Sequence, residues 1–187
     1  LSYYSLHALS RLAALHGLIV TDVNLLPIHG ASTRVSMQKQ GRPSSRVTRL
    51  LSREKKLGLT RLATFQRFAR RVRENHAALT RLLRALTHKD KSIAGYGAPA
   101  KGNTLLNYCK IGPDTLDFIT DTTVTKQGLF TPGTHIPVVS PEVLNANPPD
   151  FLLLLAWNYA DAILEKEQEL RKRGVKFIIP VPKVRVV

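Results

Sequence analysis

A chain of 187 residues, 43% hydrophobic and 22% charged, has the composition of a globular protein, with length for one large domain or a small one plus appendages. Its net charge of +15 is concentrated in residues 42–91, which carry fifteen basic and three acidic side chains; residues 92–187 are nearly balanced, with ten and nine. The single cysteine, Cys109, excludes an internal disulfide and a cysteine-rich zinc site, and no apolar run reaches the ~18 residues of a membrane span, so a cytoplasmic protein with no membrane partner is expected.

The chain opens on Leu1 without a basic-then-apolar signal segment, and its natural start is expected upstream. Residues 4–16 place Leu6, Leu9, Leu12, Ala13 and His16 at helical spacing, with Gly17 as the stop. Residues 18–26 and 33–37 then read as two strands, a hairpin around a turn from Pro27 to Ser32 that includes His29. A helix and two strands cannot bury their own apolar surface, so this piece reads as the edge of a larger sheet. Gly41-Arg42-Pro43-Ser44-Ser45 is a linker by composition.

From about Thr60 to Leu86 the residues Leu62, Phe65, Phe68, Val72, Leu79, Leu82, Leu83 and Leu86 recur every three or four positions, which predicts one long amphipathic helix. Arg61, Arg67, Arg70, Arg71, Arg73, Arg81 and Arg84 stand among its polar positions. Such a run is either a solvated helix face or a surface for an anionic partner. It lacks interleaved aromatics for base stacking and any recognised reader motif, so a basic nucleic-acid-binding module is the weaker alternative.

Beyond His88 the period changes. Residues 92–96, 116–120, 136–139, 151–155 and 175–179 read as strands, with helices over 100–109 and 159–173 and a stop at Gly174. Strands alternating with helices, one of them apolar on both faces, predict an α/β, Rossmann-like, doubly wound and mostly parallel sheet. Three segments result: residues 1–41, a basic connector over 42–90, and the α/β domain over 91–187.

Gly95-Tyr96-Gly97-Ala98-Pro99-Ala100 fits G-x-G-x-x-A between a predicted strand and helix. In that setting Gly95 makes the tight turn, Gly97 lets backbone approach a phosphate, and Ala100 allows close helix packing. Lys101 adds a cation beside the free N–H groups of the helix end, and Asn103 and Thr104 add donors. Asp121 follows about 20 residues later, where a ribose-binding carboxylate would sit, so an NAD(P)-type oxidoreductase domain is an alternative. Lys126, Thr134, His135, Trp157 and Asn158 fall in segments expected at the carboxyl ends of neighbouring strands, and are expected to converge on one crevice. The competing structural roles are a turn cap for His135 and core packing for Trp157. No metal-ligand spacing, catalytic-serine elbow or phosphate loop ending in Gly-Lys-Ser or Gly-Lys-Thr is present.

Several blocks resemble the sugar C-methyltransferases of deoxysugar biosynthesis. They are Gly95-Tyr96-Gly97-Ala98-Pro99-Ala100-Lys101-Gly102-Asn103-Thr104-Leu105-Leu106-Asn107, the stretch from Lys126-Gln127-Gly128 to His135-Ile136-Pro137, Trp157-Asn158, and Gly174-Val175-Lys176-Phe177-Ile178-Ile179-Pro180. Their order and spacing agree across about half the chain. Ser2-Tyr3-Tyr4-Ser5 and His29-Gly30-Ala31-Ser32-Thr33-Arg34 look like the last helix and strand pair of that family's class I methyltransferase domain, with Ala31 where the family has glycine.

The resemblance implies methyl transfer from S-adenosylmethionine to a carbon beside the ketone of a nucleotide-linked deoxysugar. It also implies that the donor site and the proposed base precede the segment matching Leu1, so that this chain alone is inactive and contributes no catalytic residue. The Rossmann-like lobe would hold the nucleotide-sugar without a nicotinamide cofactor. Gly95, Gly97, Lys101, Asn103, Thr104, His135, Trp157 and Asn158 are then the expected substrate-binding residues, with no metal.

Overall fold

The computed structural model describes residues 3–27 and 31–187; the expected turn at His29 lies outside them. The chain divides into two compact units, Leu1–Arg71 and Val72–Val187.

The first unit opens with α1 (Leu6–Leu15), whose N-cap Ser5 hydroxyl accepts the Ala8 N–H at 3.2 Å. Strands β1 (Ile19–Leu26) and β2 (Ser32–Gln38) pair antiparallel, as their alternation predicts, with a bulge between Val20 and Asp22. Between the linker and the long helix, where the sequence pattern assigns no element, the polar stretch forms a helix, α2 (Ser45–Lys56). Its narrow apolar face is Val47, Leu50 and Leu51, and Val47 joins Leu6, Ala13, Val20 and Val23 in a small core. That packing, rather than propensity, orders the segment.

The helix α3 (Leu62–Thr87) runs through the division between the units. Its expected apolar face is only partly used. Leu79 and Leu83 are buried, with Leu82 and Leu86 packed beside them, but Leu62, Phe65 and Phe68 are exposed.

The second unit continues with β3 (Ile93–Tyr96), α4 (Ala100–Cys109), β4 (Ile119–Thr120), β5 (Val138–Val139), α5 (Pro141–Ala146) and β6 (Phe151–Leu154). It ends with α6 (Ala160–Lys166), α7 (Gln168–Lys172), β7 (Lys176–Ile179) and β8 (Arg185–Val186). The six-stranded sheet has the order β5-β4-β3-β6-β7-β8. All neighbouring pairs are parallel except β7–β8, so the expected Rossmann-like sheet is present with an added antiparallel edge.

Alternation along the strands separates two cores. Ile93, Leu153 and Ile178 face Leu79, Leu83 and Leu106 of α3 and α4. Ala94, Leu152, Leu154, Phe177 and Ile179 face Leu144, Ile163 and Leu170 of α5, α6 and α7. The helix expected over residues 159–173 is instead two helices broken at Glu167, whose side chain accepts the Tyr96 hydroxyl at 2.6 Å. Cys109 is a buried hydrophobe whose thiol is pushed up to about 11 by desolvation.

Candidate functional site

The connection order reverses beside β3, which has β4 on one side and β6 on the other. In open α/β sheets the crevice at the carboxyl ends of such strands is the ligand site. Here that point is the turn from Tyr96 to Ala100.

Gly97 adopts φ +81°, a backbone conformation strained for a side chain, and a Cβ there would lie 3.1 Å from the Ala156 Cβ. Gly95 is required by packing instead: its Cβ would come within 2.7 Å of Ile119 Cγ1. The close helix packing expected of Ala100 belongs to Gly102. A Cβ on Gly102 would meet Leu155 Cβ at 2.7 Å and the Leu155 carbonyl oxygen at 3.2 Å, whereas Ala100 is exposed. Pro99 occupies the N-cap and offers no side-chain acceptor. The N–H groups of the first turn therefore have neither an intrahelical partner nor a side-chain cap from it.

Asp121 locks this turn to the end of β4. One oxygen accepts the Ala98 N–H at 2.7 Å and pairs with Lys126 Nζ at 3.3 Å; the other accepts the Thr123 N–H at 2.8 Å. Burial works to raise its pKa, but bonds from Thr123 and Ala98 and the charge of Lys126 outweigh it, leaving the carboxyl below its usual range. Lys126 Nζ also donates to the Ala98 carbonyl at 3.1 Å. Asp121 is thus engaged in holding the turn, on both of its oxygens.

On the β6 side, Lys101 reaches from α4 to Asn158, where its ammonium donates to Oδ1. The same nitrogen lies 5.3 Å from the Trp157 ring centroid and 5.8 Å from that of Tyr159. Burial lowers its pKa below the ordinary lysine value. Trp157 also packs against the core beneath it, so the packing expected of it does not take its ring away from Lys101.

On the β4 side, a cleft of about 380 Å³ opens beside the same turn. Ala98, Pro99, Ala100 and Asn103 form one wall, and Leu129, Phe130, Thr131 and Pro132 another, with Lys126 at its edge. Sequence reasoning passed over Leu129 and Phe130 as a wall. The signal was an apolar pair, 58% and 62% exposed, inside an otherwise polar and punctuated stretch.

The remaining expected residues are placed differently. The Thr104 hydroxyl donates to the Ala100 carbonyl within its own helix, at 3.2 Å. His135 is exposed in the 131–136 turn at φ +54°, and neither lines the cleft nor joins the Lys101 group. The turn itself is held by Thr131, which hydrogen-bonds the Thr134 hydroxyl and accepts the Ile136 N–H. Lys101, Trp157 and Asn158 are brought together; Gly97 and Asn103 adjoin them across the start of α4.

Away from this turn, a groove of about 1000 Å³ runs between α3 and the end of α4. Arg73, His76, Arg81, Arg84, His88 and Lys110 make it basic, with Asp114 as the one carboxylate among its lining residues. Among the described residues no cluster of His, Cys, Asp or Glu could hold a metal ion, and no helix is long and apolar enough to cross a membrane. The one carboxylate described at the turn, Asp121, is taken up by Ala98, Thr123 and Lys126, and the groups beside it are the lysine cations, N–H donors and aromatic rings. They suit an anion with an attached ring system better than they suit proton abstraction.

A family model described as the C-methyltransferase C-terminal domain matches residues 27–182. The C-methyltransferase NovU of Streptomyces niveus is 40% identical over 191 residues, an alignment covering 100% of this chain and 45% of that protein. The chain thus spans just under half the length of the curated relative it matches.

Proposed function

The chain belongs to the C-methyltransferase C-terminal domain family, and from that premise we propose that it is the substrate-holding carboxy-terminal part of an S-adenosylmethionine-dependent enzyme that methylates a carbon of a keto nucleotide-deoxysugar. The observation that carries this is Lys101, held by neutral partners beside the uncapped amino end of α4. An unbalanced cation next to free N–H groups favours a diphosphate.

The methyl donor itself does not fit this turn. It carries positive charge where Lys101 already places one, and its ribose would need a free carboxylate where Asp121 is engaged with Ala98, Thr123 and Lys126. Donor binding and proton abstraction are therefore assigned to other parts of the enzyme. Residues 1–41 are the terminal piece of the methyl-donor domain, residues 42–90 the connector, and residues 91–187 the substrate lobe. Within that lobe, Gly97 lets backbone approach the ligand, Lys101 and Asn158 hold it, and Asn103, beside them on α4 and lining the cleft, is a secondary contact.

The test is methyl transfer from labelled S-adenosylmethionine to a 4-keto nucleotide-sugar. The natural protein carrying this chain should turn over, and the 187-residue chain alone should not. Failure of the natural protein with every nucleotide-sugar tried would overturn the proposal. Turnover by the chain alone would overturn the assignment of donor and base elsewhere.

A further inference from the structure

Two lysines flank the Gly97 turn, and they differ in what balances them. Lys126, on the β4 side, is paired with Asp121 at 3.3 Å and tied to the Ala98 carbonyl. Lys101, on the β6 side, meets the Asn158 amide and two aromatic rings, all uncharged. Only the second can give its full charge to a ligand.

The two sides also differ in shape and polarity. The β4 side is a cleft of about 380 Å³, near the lower end of the roughly 300–1,000 Å³ range of small-molecule sites. Leu129, Phe130, Pro132, Val138 and Leu155 make its lining mainly apolar. Leu129 and Phe130 stand more than half exposed, so a flat heterocycle laid against them would remove apolar surface from water. Pro99 and Ala100 border the cleft and also begin α4, so a ligand in it reaches the helix end without leaving protein surface.

Resting on the nucleotide-sugar reading above, we propose an orientation for that ligand: the nucleobase lies in the cleft against Leu129 and Phe130, and the diphosphate crosses the Gly97 turn toward Lys101. The sugar then faces Asn158 and Tyr159, on the side where the ligand leaves the lobe. Charge sorts the ends of the ligand: the neutral ring goes to the side whose lysine is already paired, the anion to the side whose lysine is not.

The natural protein is titrated with inorganic pyrophosphate and with the diphosphates of uridine, thymidine, adenosine, guanosine and cytidine, and the tightest nucleotide is carried forward. Its affinity relative to pyrophosphate measures what the base contributes. Phe130→Ser combined with Leu129→Ser, both at exposed positions, should cut that ratio about five- to a hundredfold, the scale of one aromatic–base stack, and leave pyrophosphate binding unchanged. Tyr159→Ser, also exposed, should leave the ratio unchanged. A ratio that falls in Tyr159→Ser and not in the double variant places the base on the Lys101 side and overturns the orientation. So does a ratio that neither variant moves. Wild-type protein that binds neither nucleotides nor pyrophosphate would instead overturn the nucleotide-sugar reading, and the orientation with it.

Discussion

The Asp121 carboxylate accepts the Ala98 N–H at 2.7 Å, so the end of β4 fixes the turn that closes β3. Removing the side chain in Asp121→Ala strands the N–H groups of Ala98 and Thr123 and leaves Lys126 without its carboxylate. The expected cost is about 2–3 kcal/mol, read from urea unfolding of the lobe. The same engagement predicts that NAD(H) gives no thermal shift, because the carboxylate a dinucleotide ribose would use is holding the turn. An NAD-dependent rise in melting temperature that Asp121→Ala abolishes would revive the oxidoreductase alternative.

Glu54 is the cap that α1 borrows from another helix. Its carboxylate accepts the N–H of Leu6 at 2.6 Å and that of His7 at 2.9 Å, and also meets the His7 ring at 2.9 Å. Burial works to raise its pKa, but the Leu6 and His7 bonds prevail and hold the carboxyl below its ordinary range. The stabilisation is therefore complete above the unfolded value and is lost as pH falls through the folded one. Glu54→Ala should cost the first unit about 2 kcal/mol at pH 7, and the gap to wild type should shrink as acid protonates the carboxylate. A mutant gap that stays constant on acidification until the wild-type protein itself unfolds would contradict this role.

The basic groove lined by Arg73, Arg81, Arg84 and Lys110 can neutralise phosphates but has no base-reading arrangement. Binding of duplex DNA should be weak, indifferent to sequence and lost at moderate salt, as fluorescence anisotropy across a salt series would show. A sequence preference surviving high salt would turn attention from substrate binding to this groove.

The sequence was most legible where local chemistry and tertiary packing agree. Residues 100–109 form the helix they were expected to form, whereas the tight turn expected of Gly95 falls instead at Gly97, with φ +81°. Legibility failed where a few contacts decide the structure. In α2, Val47, Leu50 and Leu51 are outnumbered by charged neighbours, and only burial of Val47 in the first unit's core makes the pattern visible. At the break, Glu167 bonds a partner 71 residues away, Tyr96, a contact that no local window contains. The pair Arg185–Val186 becomes a strand because β7 offers it an edge. At the site, Lys101, Trp157 and Asn158 met as strand order predicts. His135 did not join them, because Thr131 closes its turn on itself and leaves the ring in solvent.

The central claim is that the amino end of α4 binds a sugar-nucleotide diphosphate through Lys101, and titration calorimetry on the natural protein with a nucleoside diphosphate sugar tests it most directly. Lys101→Ala should weaken binding by about 1.5–3 kcal/mol, ten- to a hundredfold, because it removes a charge-assisted bond. The melting temperature should hardly move, since the ammonium meets only an amide and two ring faces in the folded chain. Equal affinity in wild type and Lys101→Ala, with the melting temperature unchanged, would contradict the claim and leave the Gly97 turn as a fold element alone.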